Sequence, residues 1–237
     1  MGIGGALLML PILLYVPGLF GHDKIPVHMI TGMVSMQSLF GTATSSFFHH
    51  KTGNVNYYLV LNIGIGMAIG AFTGAVFSKY LHGNIIIWIY IFVLAFSAIS
   101  MIFHKEKEPE ELPEKKISRY KYIIFGLLVG LPAGAIGFAG SVVVIPLLNT
   151  LFDVPIKICI SSSTHIAFIA SLLTFIGKSA TGQIEFLSAL IISVSAMIGA
   201  FIGTKLNKKA DPRLLKNILL TLIVLVFLRL LVDMLWN

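Results

Sequence analysis

The run SSSTHIAF sets five consecutive polar side chains, Ser161, Ser162, Ser163, Thr164 and His165, inside an otherwise apolar stretch. Hydroxyls donate hydrogen bonds to an oxyanion without gripping it as a lysine ammonium would, which suits a site that must also release its ligand. His165 is ionisable inside an apolar segment, a placement that points to function. Protonated it would hold an anion, and near neutral pH it would carry a coupling proton. The first half of the chain has a counterpart in TGMVSMQSLFGTATSS, which offers Thr31, Ser35, Gln37 and Ser38. The competing role for the hydroxyls is interhelical hydrogen bonding, worth about 0.6 kcal/mol each; for His165 it is a neutral imidazole donating to a neighbouring helix.

A second candidate element is GLPAGAIGFAGSVVVIPLL, residues 130–148. Gly130, Gly134, Gly137 and Gly140 with Pro132 and Pro146 interrupt a stretch that is otherwise apolar, and each weakens a helix. Loose backbone facing lipid leaves polar groups unsatisfied, so such a break is expected to line an enclosed cavity. There, helix N-termini and glycine amides turn partial positive charge toward an anion. Gly4 and Gly5, with Gly137 and Gly140, would form two such hinges facing each other. Close helix packing through small residues is the competing role.

The elements that position these residues follow from composition. The chain has 237 residues, 57% of them hydrophobic and 11% charged, with a mean hydropathy of +0.92. Apolar stretches recur from end to end, and a helix of about 20 residues crosses the hydrocarbon core, so the expectation is a multi-pass membrane protein. The net charge of +7 falls in short loops between apolar segments, as the positive-inside rule expects, and does not point to nucleic acid. The single cysteine, Cys159, forms no intrachain disulfide, and neither CxxC nor HExxH occurs. A zinc site has no support from the sequence, and no cofactor is expected. With no n-region and cleavage site, targeting is expected from the first spans themselves.

Apolar runs predict segments at 2–16, 27–48, 57–80, 84–103, 120–135, 140–152, 157–176, 186–206 and 214–236. The stretch HKEKEPEELPEKKISR between 103 and 120 reads as a solvated linker. On either side the chain repeats. GIGGALLMLP aligns with GFAGSVVVIP, placing Gly2, Gly5 and Pro11 on Gly137, Gly140 and Pro146. A second register places Pro26 on Pro155, Gly53 on Gly182, and GAFTG on GAFIG. Paired halves with broken segments at matching positions are a transporter pattern, with the substrate site at the breaks. The bases of the linker and of the loop before the last helix (Lys205, Lys208, Lys209, Arg213) place both on the cytoplasmic side. That holds if 120–152 crosses as two helices, which makes each half a five-segment unit and the second half inverted. The expected organisation is therefore 1–104 as a first transmembrane repeat, 105–119 as a cytoplasmic linker and 120–237 as a second repeat. Met1 falls where the first hinge is expected, so a short helix is expected before it.

These features together resemble the sulfite exporter TauE/SafE family: the GIGG…LP start, its echo GFAGSVVVIP, the polar helix after each, and the Gly-Asn-Val and Gly-Gln-Ile loops with their GAFxG helices. The resemblance covers nearly the whole chain outside the linker. It implies an all-α membrane fold of two inverted repeats and export of sulfite, sulfonates or related organosulfur anions across a prokaryotic cytoplasmic membrane. Two features depart from the family pattern: the absent first short helix, and Phe138-Ala139 where a fuller glycine run is usual.

The remaining constellations read as structural. His49, His50 and Lys51 form an interfacial basic cluster or an anion-attracting vestibule, and Lys178 holds the equivalent place in the second half. Gly66, Gly70 and Gly74, matched by Ser195, Gly199 and Gly203, read as packing stripes. Arg229 and Asp233 are spaced to pair. The expected partners are a small anion and the lipid bilayer, with a homodimer compatible with the sequence. A membrane enzyme would need paired acids or a nucleophile with its base at depth. A cation carrier would need buried carboxylates, and a non-transporting sensor or assembly subunit would need a recognition module. None of these stands out in the sequence.

Overall fold

The computed structural model describes residues 6–21, 23, 25–50, 55–103, 118–138, 140–207 and 212–236. These form helices α1 (Ala6–Leu19), α2 (Val27–His50), α3 (Tyr57–Ser78), α4 (Gly83–Phe103), α5 (Arg119–Ile136), α6 (Ser141–Phe152), α7 (Ile156–Ala180), α8 (Phe186–Asn207) and α9 (Pro212–Trp236). Among the described residues there is no strand. Gly4 and Gly5, Lys51, Gly53 and the linker at 104–117 lie outside the described residues.

Local chemistry sets the breaks. The Asn56 side chain accepts from the amides of Tyr58 and Leu59 at 3.0 and 3.2 Å and starts α3, satisfying donors that the first turn leaves open. Gly137, in the left-handed region at φ 92°, ends α5, and Gly140, at φ 66°, precedes α6. The expected break at 137–140 is therefore present. α6 folds back along α5, so that Phe152 at its end meets Tyr122 and Phe125 near the start of α5, with ring centroids 4.7 and 5.3 Å apart.

Helices α3, α4, α5 and α7 are long and apolar enough to cross a membrane; the 18 residues of α5 rise about 27 Å. Their outward faces are apolar, with Leu61, Trp88, Phe92, Ile124, Leu128 and Ile176 exposed. In water such a surface would be a liability. Facing hydrocarbon it is the expected exterior of an integral, multi-pass membrane protein.

The tightest contact is between α3 and α5. A Cβ built on Gly66, Gly70 or Gly74 would fall 2.0, 2.4 and 2.0 Å from the carbonyl oxygens of Ile123, Leu127 and Leu131. In return, Gly126, Gly130 and Gly134 press on the carbonyls of Ile63, Met67 and Ala71. Residue numbers rise together along this contact, so α3 and α5 run parallel. The expected packing stripe on α3 is real, but its match on α8 is not covered. Ser195 and Gly199 are exposed, and a Cβ on Gly199 would meet nothing within 4 Å. α8 turns a different face, with Ala189 and Ser193 buried, inward toward α2.

The two halves share a spacing. α7, α8 and α9 each start 129 residues after α2, α3 and α4 (27 and 156, 57 and 186, 83 and 212). Packing follows the same rule: α3 packs on α7 as α8 packs on α2, and α1 packs on α2 as α6 packs on α7.

Candidate functional site: a polar seam between α2 and α7

Along α2, Thr31, Ser35, Ser38, Thr42 and Ser45 recur at steps of four and three and share one face. All five are buried. On α7, Thr164, Ser171, Thr174 and Lys178 lie along one face and are buried too. The two stripes meet where Thr42 Oγ1 and Ser171 Oγ lie 2.9 Å apart. These residues are 129 apart, so they hold equivalent places in the two halves. Most of these hydroxyls have a carbonyl of their own helix within reach: Ser35 reaches Gly32 at 2.6 Å, Thr42 reaches Ser38 at 2.7 Å, and Ser171 and Thr174 reach Phe168 and Ala170, both at 2.9 Å. Each hydroxyl has one O–H, so one of Thr42 and Ser171 gives up that bond to donate across the seam. That local bonding is how Ser and Thr are tolerated inside an apolar helix. It leaves oxygen lone pairs turned to the seam. Ser38 Oγ and Gln37 Oε1 are buried with no hydrogen-bond partner among the described residues.

At one end of the seam stands Lys178, which is fully buried. Its Nζ donates to Ser78 Oγ at 2.6 Å, Thr31 Oγ1 and Gln183 Oε1 at 3.0 Å, and the Ala135 carbonyl at 3.1 Å. The four acceptors come from α3, α2, the α7–α8 connection and the last turn of α5. Gln183 is tied in turn to the Ala75 carbonyl at 3.0 Å and to Thr181 Oγ1 at 2.6 Å. The chain here is pressed close: a Cβ on Gly32 would fall 2.0 Å from the Gln183 carbonyl oxygen. The sequence places Lys178 at a loop, as an interfacial basic residue or part of an anion-attracting vestibule; the structure corrects the interfacial placement by burying it. α7 continues to Ala180 rather than stopping near Ile176, which carries Lys178 inside, where it finds acceptors from three other helices.

The α5–α6 hinge adjoins this end. A Cβ on Gly137 would lie 2.1 Å from the Thr31 carbonyl oxygen and 3.3 Å from the Ser35 amide nitrogen, so the backbone of Thr31 and Ser35 meets Gly137. The Gly137 and Phe138 amides both donate to the Ala133 carbonyl, at 2.9 and 3.1 Å. Gly137 thus supplies the turn and the close approach, and its own N–H is committed to α5. Gly140 sits against the Met67 and Ala133 side chains and opens the N-terminus of α6.

The polar run of α7 lies elsewhere. Ser161, Ser162, Ser163 and Thr164 are buried and His165 is half-buried, but they stand some 15 residues before Lys178, roughly 22 Å along the helix axis. Ser162 Oγ accepts from the Asn56 amide at 3.0 Å. Ser163 and Thr164 donate to the Ile160 carbonyl at 3.1 and 2.8 Å, and His165 Nδ1 lies 2.9 Å from the Ser161 carbonyl oxygen. Of the described residues singled out from sequence, Thr31, Ser35 and Gly137 gather at one end of the seam, while Thr164 stands on the same face of α7 toward the other end and Ser162 turns to the start of α3. Nothing in local spacing reveals the Lys178 cluster, whose partners at 31, 78, 135 and 183 meet only in three dimensions. The signal available was a lone lysine following an apolar helix.

Among the described residues no group of three or more His, Cys, Asp or Glu side chains is placed to hold a metal. Comparison with known proteins adds the family. The profile described as Sulfite exporter TauE/SafE matches residues 1–230. The chain is similar to a probable membrane transporter protein of Bacillus subtilis, YunE, at 25% identity over 95% of this chain and 89% of the relative. A probable membrane transporter protein of Methanocaldococcus jannaschii is likewise 25% identical, over 92% of this chain and 84% of its own length. A second Bacillus subtilis protein, YdhB, is 22% identical over 81% and 80% of the two chains. No solved structure matches. With this match along nearly its whole length, on an all-helical membrane architecture, the chain belongs to the sulfite exporter TauE/SafE family of membrane transporters.

Proposed function

We propose that the protein is a secondary transporter that exports a small sulfur-containing anion, such as sulfite or a sulfonate, across the cytoplasmic membrane of a prokaryote. The observation that carries this reading is the α2–α7 seam, a continuous row of buried hydroxyls between two halves of a membrane protein. Each hydroxyl can rotate its single O–H from its own-helix carbonyl to a passing oxyanion, and the row carries no carboxylate to hold a cation.

The arrangement of α2 and α7 favours inverted repeats. Equivalent residues touch at Thr42 and Ser171, while Thr31, before that point on α2, bonds Lys178, after it on α7. Equivalent helices that run antiparallel are what a two-fold axis in the membrane plane produces, and rocking of the halves about it would expose the seam to each side in turn. In this reading Thr31, Ser35, Gly137, Gly140 and the N-terminus of α6 shape one end of the path. Thr164 faces the other end, with Ser161, Ser162, Ser163 and His165 beside it on α7, and Gly4 and Gly5 belong to the matching first hinge.

The test is uptake of radiolabelled sulfite, and of methanesulfonate, into inside-out vesicles bearing the protein, at two proton gradients. Accumulation above empty vesicles is expected for at least one of them. Silence with both would contradict the reading and favour a non-transporting membrane subunit.

A further inference from the structure

We infer that Lys178 is the charge partner of the transported anion, and that Gln183 is the ligand the anion displaces. The inference rests on the anion-transport reading and supplies what that reading lacks, a fixed positive charge. Every helix from α1 to α8 is free of Asp and Glu. The acid within a helix is Asp233 on α9, and it pairs with Arg229 at 3.5 Å. Lys178 makes no ion pair among the described residues; its four partners are all neutral oxygens. In the surrounding elements α2 carries His28, α3 is followed by Lys79, α5 begins with Arg119 and Lys121, and the exposed Glu185 stands just before α8. A buried ammonium without a counter-charge is costly to desolvate, and neutral dipoles offset that cost only in part. An anion entering the site would complete the compensation.

The geometry also shows where it would enter. An ammonium has three N–H bonds, whereas four acceptors lie within 3.1 Å of Nζ, so one acceptor is surplus. Thr31, Ser78 and Ala135 are held on helices. Gln183 belongs to the short connection 181–185, where Gly182 is exposed, adopts φ +69° and has open space around it. Of the four it is the one whose backbone lies outside a helix. Three residues of chain, Ser179 to Thr181, separate the exposed Gly182 from Lys178, and movement of this connection would open Lys178 to an anion.

The test is thermal unfolding of the purified full-length chain with sulfite, methanesulfonate or sulfate as probe, comparing wild type with K178R, K178Q, K178M and Q183A. A ligand that binds only the folded state raises the melting temperature. The expected result is a rise of at least about 3 °C with one of these anions in wild type, kept in K178R and lost in K178M and K178Q. If K178M does not fold, K178Q, which keeps a hydrogen-bonding group without the charge, decides. For Q183A the same stabilisation is expected at roughly two- to tenfold lower anion concentration. Equal stabilisation of wild type and K178Q overturns the role of Lys178 while leaving anion transport standing. Absence of any shift in wild type overturns it too, and vesicle flux then decides the transport reading separately. An unchanged midpoint in Q183A overturns the displacement step.

Discussion

Gly137 and the Thr42–Ser171 pair show how single residues set the seam. At φ 92°, in a region that L side chains rarely occupy, and with backbone 2.1 Å from any added Cβ, Gly137 admits no substituent without moving α2. Gly137→Ala is therefore expected to lose more than about 2 kcal/mol of stability and to reduce flux, and Gly137→Leu to abolish flux while membrane insertion persists. Undiminished flux in Gly137→Leu would contradict the part given to the hinge. The hydroxyl pair predicts a smaller, coupled effect. Thr42→Val and Ser171→Ala should each cost about 1 kcal/mol, and the double variant less than their sum by roughly 0.5–1 kcal/mol, since the bond is lost once. Reversible unfolding in mixed micelles measures both. Polar residues of this kind were legible in the sequence, because a hydroxyl run in an apolar span stands out. Their division between two ends of the seam was not, since it depends on which turn of α2 faces which turn of α7.

At the scale of elements, helix existence was readable from apolar runs, and the break at 137–140 from its glycines. Helix ends were less so. Gly177, Ser179, Thr181 and Gly182 look like loop chemistry, yet α7 continues through Gly177 and Ser179 because Lys178 is satisfied inside the protein and not at the interface. The glycine stripes teach the same lesson. Both halves carry one; the stripe on α3 has a helix against it, whereas Ser195 and Gly199 of the α8 stripe are exposed among the described residues. Gly70→Ala, with its Cβ 2.4 Å from the Leu127 carbonyl oxygen, should destabilise by more than about 2 kcal/mol. Gly199→Ala, in open space, should be neutral within about 0.5 kcal/mol or slightly stabilising, because alanine is the better helix former. Comparing the two unfolding midpoints checks the assignment.

For the whole molecule, the positive-inside reading and the parallel course of α3, α5 and α7 combine into one topology. In that topology the α7–α8 connection would face outward, and Val55, before α3, would lie at the cytoplasmic side. In a Cys159→Ser background, Gly182→Cys should react with an impermeant maleimide added outside intact cells, and Val55→Cys should react only in inside-out vesicles. The repeat was visible in sequence as matched glycines and prolines. Its meaning for transport lies in the contact of Thr42 with Ser171, equivalent residues on two helices that must separate if the seam is the path. Their oxygens lie 2.9 Å apart, which puts the Cβ atoms within about 5 Å, near the reach of a disulfide. The most direct measurement is sulfite flux through Thr42→Cys/Ser171→Cys in the Cys159→Ser background, before oxidation, after oxidation and after reduction. Cross-linking that stops flux, with recovery on reduction, is expected. Full cross-linking with undiminished flux would contradict the seam as the path of the anion.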